Sequence, residues 1–110
     1  MRRIGKGGEM AARAVATVRD DPRFAEVLLE ERKTGLVLFK LVELQGRPAW
    51  DAYYTLWARI VPQDPTRSTF GLEYMRYTGK WQPLGYTASL EECMREISRD
   101  TFHVFFADGG

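Results

Sequence analysis

At 110 residues, the chain has the length of one domain, able to bury roughly two thirds of the surface its unfolded form exposes. Hydrophobic residues make up 45% and charged residues 28%, an ordinary balance for a soluble globular protein. The net charge of +1 excludes bulk attraction to phosphate backbones or anionic membranes, so nucleic-acid binding would need a local patch.

Residues 1–8 carry three basic residues and three glycines and read as a flexible tail. A helix is expected from Glu9 to about Arg19, with Met10, Ala11, Ala14, Val15 and Val18 as a narrow apolar stripe. Asp21-Pro22 ends it and opens another, because Asp can cap free amides and Pro fits the first helical position. Phe24, Val27 and Leu28 make the next stripe, until Gly35 terminates the helix. Two short helices and one kinked helix satisfy this pattern equally.

Leu36 to Leu44 is almost continuously apolar, as in a strand buried on much of both faces. Gln45 to Pro48 reads as a hairpin loop. Ala49 to Val61 fits a strand or a helix, and its Tyr, Thr, Trp and Ile content favours the strand. As a strand it puts Tyr53, Thr55, Trp57 and Arg59 on one face and Tyr54, Leu56, Ala58 and Ile60 on the other. As a helix it would line up Trp50, Tyr53, Tyr54, Trp57 and Ile60.

Pro62 to Thr69, with two prolines and polar residues, is a loop. A strand follows from Phe70, with Phe70, Leu72 and Tyr74 on one face and Glu73, Met75 and Tyr77 on the other. Thr78-Gly79 supplies a tight turn, and Trp81 to Tyr86 a short strand that Pro83 confines to an edge or bulge. Ser89-Leu90-Glu91-Glu92 is a capping box. Leu90, Cys93, Met94 and Ile97 then fall at i, i+3, i+4 and i+7, which predicts a helix to about Arg99. Phe102 to Phe106 is compatible with a last short strand, and Ala107 to Gly110 with a tail. The expected fold is a single α+β domain over 1–110: an antiparallel sheet of four to five strands, with an N-terminal helical segment and a C-terminal helix packed on one face.

Catalytic candidates are few. His103 is the only histidine and Cys93 the only cysteine, which excludes two-histidine metal sites, internal disulfides and multi-cysteine metal sites. Cys93 lies on the apolar face of the last helix, where a thiol behaves as a small hydrophobe. Glu30-Glu31 and Glu91-Glu92 are adjacent pairs, which on a helix diverge rather than converge. Gly5, Gly7 and Gly8 precede a helix without the strand that a phosphate loop requires. The expectation is a non-enzymatic chain with no metal and no cofactor. One cysteine suits the cytoplasm, and no run approaches the roughly 18–20 apolar residues of a membrane span. Met1-Arg2-Arg3 ahead of Met10–Val18 has the order of a signal peptide, but Lys6, Glu9 and Arg13 break its apolar segment.

The aromatic residues carry the functional expectation. With helices on one face of the sheet, the other would show a set drawn from Tyr53, Trp57, Met75, Tyr77 and Trp81, with Arg59 alongside. Three large aromatics left open would expose roughly 450–750 Å². That is at or above the largest patch usual on a monomer. Self-association is the simplest cover, since a two-fold axis makes one patch its own complement, and a homodimer is therefore expected. The competing outcome is a curved sheet with both faces buried. A second function reading is a pocket for a small apolar or aromatic ligand, lined by Phe39, Tyr54, Leu72 and Tyr74. A third is nucleic acid, with Arg59, Arg67, Arg76 and Lys80 beside stacking aromatics. The order helix, three strands, helix is similar to that of double-stranded RNA-binding domains. Where that family places lysines, this chain has Leu90-Glu91-Glu92, which would repel phosphates.

Overall fold

The computed structural model of the chain describes residues 1–5 and 7–106. The elements are β1 (Arg2–Ile4), α1 (Glu9–Thr17), β2 (Val27–Arg32), β3 (Gly35–Val42), β4 (Tyr53–Pro62), β5 (Phe70–Met75), β6 (Trp81–Ala88) and α2 (Leu90–Arg99). The strands form one six-stranded sheet in chain order. β1 pairs with β2 in parallel, and every other neighbouring pair is antiparallel. Both helices contact each other and share one core on the same side of the sheet, so the fold is α+β as expected.

The N-terminal third departs from the expected pattern. Asp21 does accept the Arg23 amide and Pro22 does open a helical turn, but that turn ends at Phe24. Val27–Arg32 then runs as a strand, not a second helix. Helix formers such as Leu28, Leu29, Glu30 and Glu31 are overruled by pairing with β3, because intrinsic propensity is a weak prior against tertiary contacts. Gly35 opens β3 at φ +135°, and a Cβ there would come within 2.2 Å of the Ile60 carbonyl oxygen. It is a close-approach residue in a hairpin, not a helix stop. Arg2–Ile4, read as tail, forms the edge strand β1. Glu31 points toward the helices, and its Oε1 accepts the amides of Gly8 (2.9 Å) and Ala11 (2.8 Å), capping α1, which has no side-chain cap of its own.

The core lies between sheet and helices. Leu29, Leu36, Leu38, Ile60, Phe70 and Leu72 from the strands meet Met10, Ala14, Leu90, Met94 and Ile97 from the helices. The β5–β6 turn forms as expected around Gly79 (φ +82°), closed by Gly79 N–H to the Arg76 carbonyl. β6 is the outer edge, where Pro83 is tolerated. Ser89 caps α2 by accepting the Glu92 amide, while the Glu92 carboxylate pairs with Arg95 and Arg99.

Phe102–Phe106 is not a strand. Asp100 ends α2 in the left-handed region (φ 50°, ψ 51°), and its carboxylate accepts the amides of Val104, Phe105 and Phe106. Burial alone would raise the Asp100 pKa, but the amides of Phe105, Phe106 and Val104 outweigh it and hold it below the ordinary range. The segment so fixed lays Phe105 and Phe106 edge-on against Trp57 and closes one end of the core. The Ala107–Gly110 tail expected from sequence lies outside the described residues.

Candidate interaction face

Strand alternation splits the sheet's side chains into a helix side and an open side, and a bulge in β4 decides which is which. Leu38 pairs with Ala58 and Phe39 with Leu56, so Trp57 is the extra residue of a β-bulge. Trp57 and Ala58 both join the helix-side core, and the alternation reverses there. Tyr53 and Thr55 consequently share Trp57's side, whereas Arg59 is on the open side. This corrects the expectation of a solvent-facing Trp57. It is only 8% exposed, ringed by Phe24, Phe105 and Phe106, and its Nε1 donates to the Phe105 carbonyl at 2.7 Å.

Of the other expected site residues, Arg59, Met75 and Trp81 come together on the open side. Met75 pairs with Trp81 across β5 and β6. Arg59 donates from Nε to Glu73 Oε1 at 2.8 Å and places its Cζ 4.7 Å from the Trp81 ring centroid. Tyr53 is exposed but on the helix side, in the part of the β3–β4 hairpin that outruns the helices. Tyr77, 95% exposed, sits in the turn beyond the end of β5.

The open side also holds residues that the sequence reading put elsewhere. Leu28 pairs with Phe39, Phe39 with Leu56, and Leu41 with Tyr54. With Met75 and Trp81 these make an apolar band across β2 to β6. Tyr54 is 41% and Leu56 36% exposed, and no helix among the described residues lies over them. The next rung is Ile4, Glu30, Val37, Arg59, Glu73 and Pro83. Its charges are matched in place, Arg59 with Glu73, and Arg32 at the rim with Glu30. Arg32 also sits over Phe39, 5.9 Å from the ring centroid. The arginine stems thus roof part of an apolar floor, and these two pairs add no net charge to it.

The proposed ligand pocket loses its geometry: Phe39 and Tyr54 are on the open side, Leu72 and Tyr74 on the helix side, so the four share no cavity. A shallow cleft of about 530 Å³ lies between the Lys33-Thr34 turn and the Val61–Arg67 loop. Its carboxylate, Asp64, is committed to its own loop. Thr66 Oγ1, the Thr69 and Ser68 amides and Ser68 Oγ donate to it, which lowers its pKa to about 2. Cys93 is buried, its Sγ against the Phe70 carbonyl, and burial pushes its thiol up to about 12. His103 is exposed in a turn after α2. Among the described residues, no group of His, Cys, Asp and Glu is arranged to hold a metal ion. No helix among them is long and apolar enough to cross a membrane.

No curated protein and no solved structure matches the chain. One family does match, over residues 32–107, a stretch that takes in β3 to β6 and α2 and leaves β1, α1 and nearly all of β2 outside. That match covers well over half of the sequence, and the chain belongs to the family described as Domain of unknown function (DUF3024).

Proposed function

We propose that this chain is a non-enzymatic interaction module that pairs with a second copy of itself through the open face of its sheet. The observation that carries this is the apolar band Leu28–Phe39–Leu56 with Met75–Trp81, over which no helix of the described residues lies. Five inter-strand steps of about 4.8 Å and ten residues of β4 at about 3.3 Å bound the face at roughly 24 by 33 Å. That outline encloses at most roughly 800 Å², since β1 has three residues and β2 and β5 six, and is of the order that each partner contributes to a standard interface. In-place pairing of Arg59 with Glu73 and of Arg32 with Glu30 lets two such faces meet without like-charge repulsion. It also leaves little free cation for a phosphate backbone. The sheet edges invite pairing less: β1 has three residues, and β6 carries Pro83 and a register shift. We place the protein in the cytoplasm on the strength of its one buried cysteine.

Light scattering on size-exclusion fractions tests the proposal. Wild type should elute with twice the chain mass, and Leu56→Glu, a charge in the middle of the band, should elute with the mass of one chain and an unchanged far-ultraviolet spectrum. Wild type running as a single chain at all concentrations up to the solubility limit would overturn it.

A further inference from the structure

The open face has unlike ends. At one end, the side chains of Tyr54, Leu56, Met75 and Trp81 stand on β4, β5 and β6. At the other, β5 and β6 carry Gly71, Gly85 and Thr87, and the ladder between them slips between Gly71 and Glu73. The result is a notch of about 170 Å³, bordered by Gln63, Gly71, Glu73, Pro83, Gly85 and Thr87. Gly71 leaves space that the Gln63 amide partly occupies, its Nε2 lying 2.7 Å from where a Cβ would stand. One end is raised and the other sunken, on the same pair of strands.

In the aligned class of sheet packing, two twisted sheets keep their strands within about 30° of each other. The two-fold axis relating them therefore runs close to parallel or close to perpendicular to the strands. A parallel axis sets raised end against raised end and sunken against sunken, and brings Met75 and Trp81 toward Arg2 and Leu28 on the far side of the sheet. It leaves the notch over the three-residue strand β1. A perpendicular axis turns each sheet end for end and keeps β6 over β6. Resting on the self-association proposed above, we infer that the two copies meet in this second way, with the Met75–Trp81 end of each seated over the Gly71–Thr87 notch of the other. Dense packing decides between the two, since a void with no partner atoms forfeits the dispersion contacts of its lining. The Arg59–Glu73 pair lies between the two ends, so near the axis a neutral pair meets its own copy.

Disulfide trapping tests the arrangement in the full chain. Cys93 is fully buried and its thiol is unreactive at neutral pH, so it leaves the background silent. Met75→Cys and Thr87→Cys mark the raised and sunken ends of the open side, on β5 and β6, and both positions keep contact with water. Under mild oxidation, an equimolar mixture of the two variants should form the mixed disulfide at least about tenfold faster than either variant links to itself, because association raises the local thiol concentration to the millimolar range. Light scattering on the same samples separates the outcomes. A dimer without the mixed disulfide, or one in which Thr87→Cys links mainly to itself, would overturn the end-for-end arrangement and leave self-association standing. A single-chain mass throughout would overturn both.

Discussion

On the helix side of the sheet, Leu29, Leu36, Leu38, Ile60, Phe70 and Leu72 are sealed beneath α1 and α2. On the open side, Leu28, Phe39, Leu41, Tyr54, Leu56, Met75 and Trp81 form a comparable apolar surface on the same strands, yet each keeps contact with water. The difference is not in the residues but in what lies over them. The helix side is closed by the chain's own elements, down to the Asp100-held segment that seats Phe105 on Trp57. The open side is roofed only in part, by arginine side chains whose charges are matched locally. A domain built this way can be folded and still have one face unfinished, and that face is where a second molecule gains the most from contact.

Substitutions matched across the sheet should expose this contrast. Leu38→Ala, fully buried, should cost about 2–5 kcal/mol of unfolding free energy in urea titrations. Leu56→Ala, measured at dilutions where single chains prevail, should cost about 1 kcal/mol, because the space it leaves fills with water and carries no cavity penalty. Equal costs would mean that the open face is sealed within one chain.

The tryptophans of the two faces, Trp57 and Trp81, should differ in the same sense. Trp57→Phe removes the donor to the Phe105 carbonyl and leaves a buried acceptor unpaired, at about 1–3 kcal/mol. Trp81→Phe weakens only the stacking of Arg59, at about 0.5 kcal/mol in single chains.

Asp100→Asn keeps the left-handed backbone, which Asn tolerates, and removes the charge that three amides share, so it should destabilise by about 1–2 kcal/mol. The sign with pH follows from a folded-state pKa held below its ordinary value. The wild-type contribution is complete above the unfolded pKa, near 4, and is lost as pH falls through the lower folded value. Unfolding midpoints taken from pH 6 down to pH 2 should therefore fall more steeply for wild type than for Asp100→Asn; parallel curves would remove the charge from the latch.

A comparably small effect belongs to the ion pair that ties the two helices together. Arg13 donates from Nε and Nη2 to both Glu91 oxygens, at 2.7 and 2.9 Å, with both side chains about a third exposed. A double-mutant cycle with Arg13→Met and Glu91→Gln should give a coupling of about 0.2–1 kcal/mol that shrinks with added salt.

What could be read from the sequence was what is encoded locally. The capped helix α2 carries its start signal and its 3.6-residue stripe within eleven residues, and the β5–β6 hairpin carries its own glycine turn. β2 was not legible, because Val-Leu-Leu-Glu-Glu-Arg alternates only when Glu31 is seen to turn inward and cap α1, a partnership across twenty residues. Half of the expected site came together, Arg59, Met75 and Trp81. Trp57 did not join them, because the bulge that reverses β4 arises from the pairing with β3 and leaves no mark in the alternation itself. Tyr54 and Leu56 were displaced to the wrong face by the same missing residue of register.

The two faces can be watched at once in the unmodified sequence by fluorine NMR of chain labelled with 5-fluorotryptophan, each of the three signals assigned from a Trp→Phe variant. Between low and high concentration we expect the Trp81 signal to shift or broaden as the open face is covered, while the Trp57 signal holds its position beneath Phe105. A Trp81 signal that stays as constant as that of Trp57 over the whole range would mean that nothing of this chain's own covers the open face.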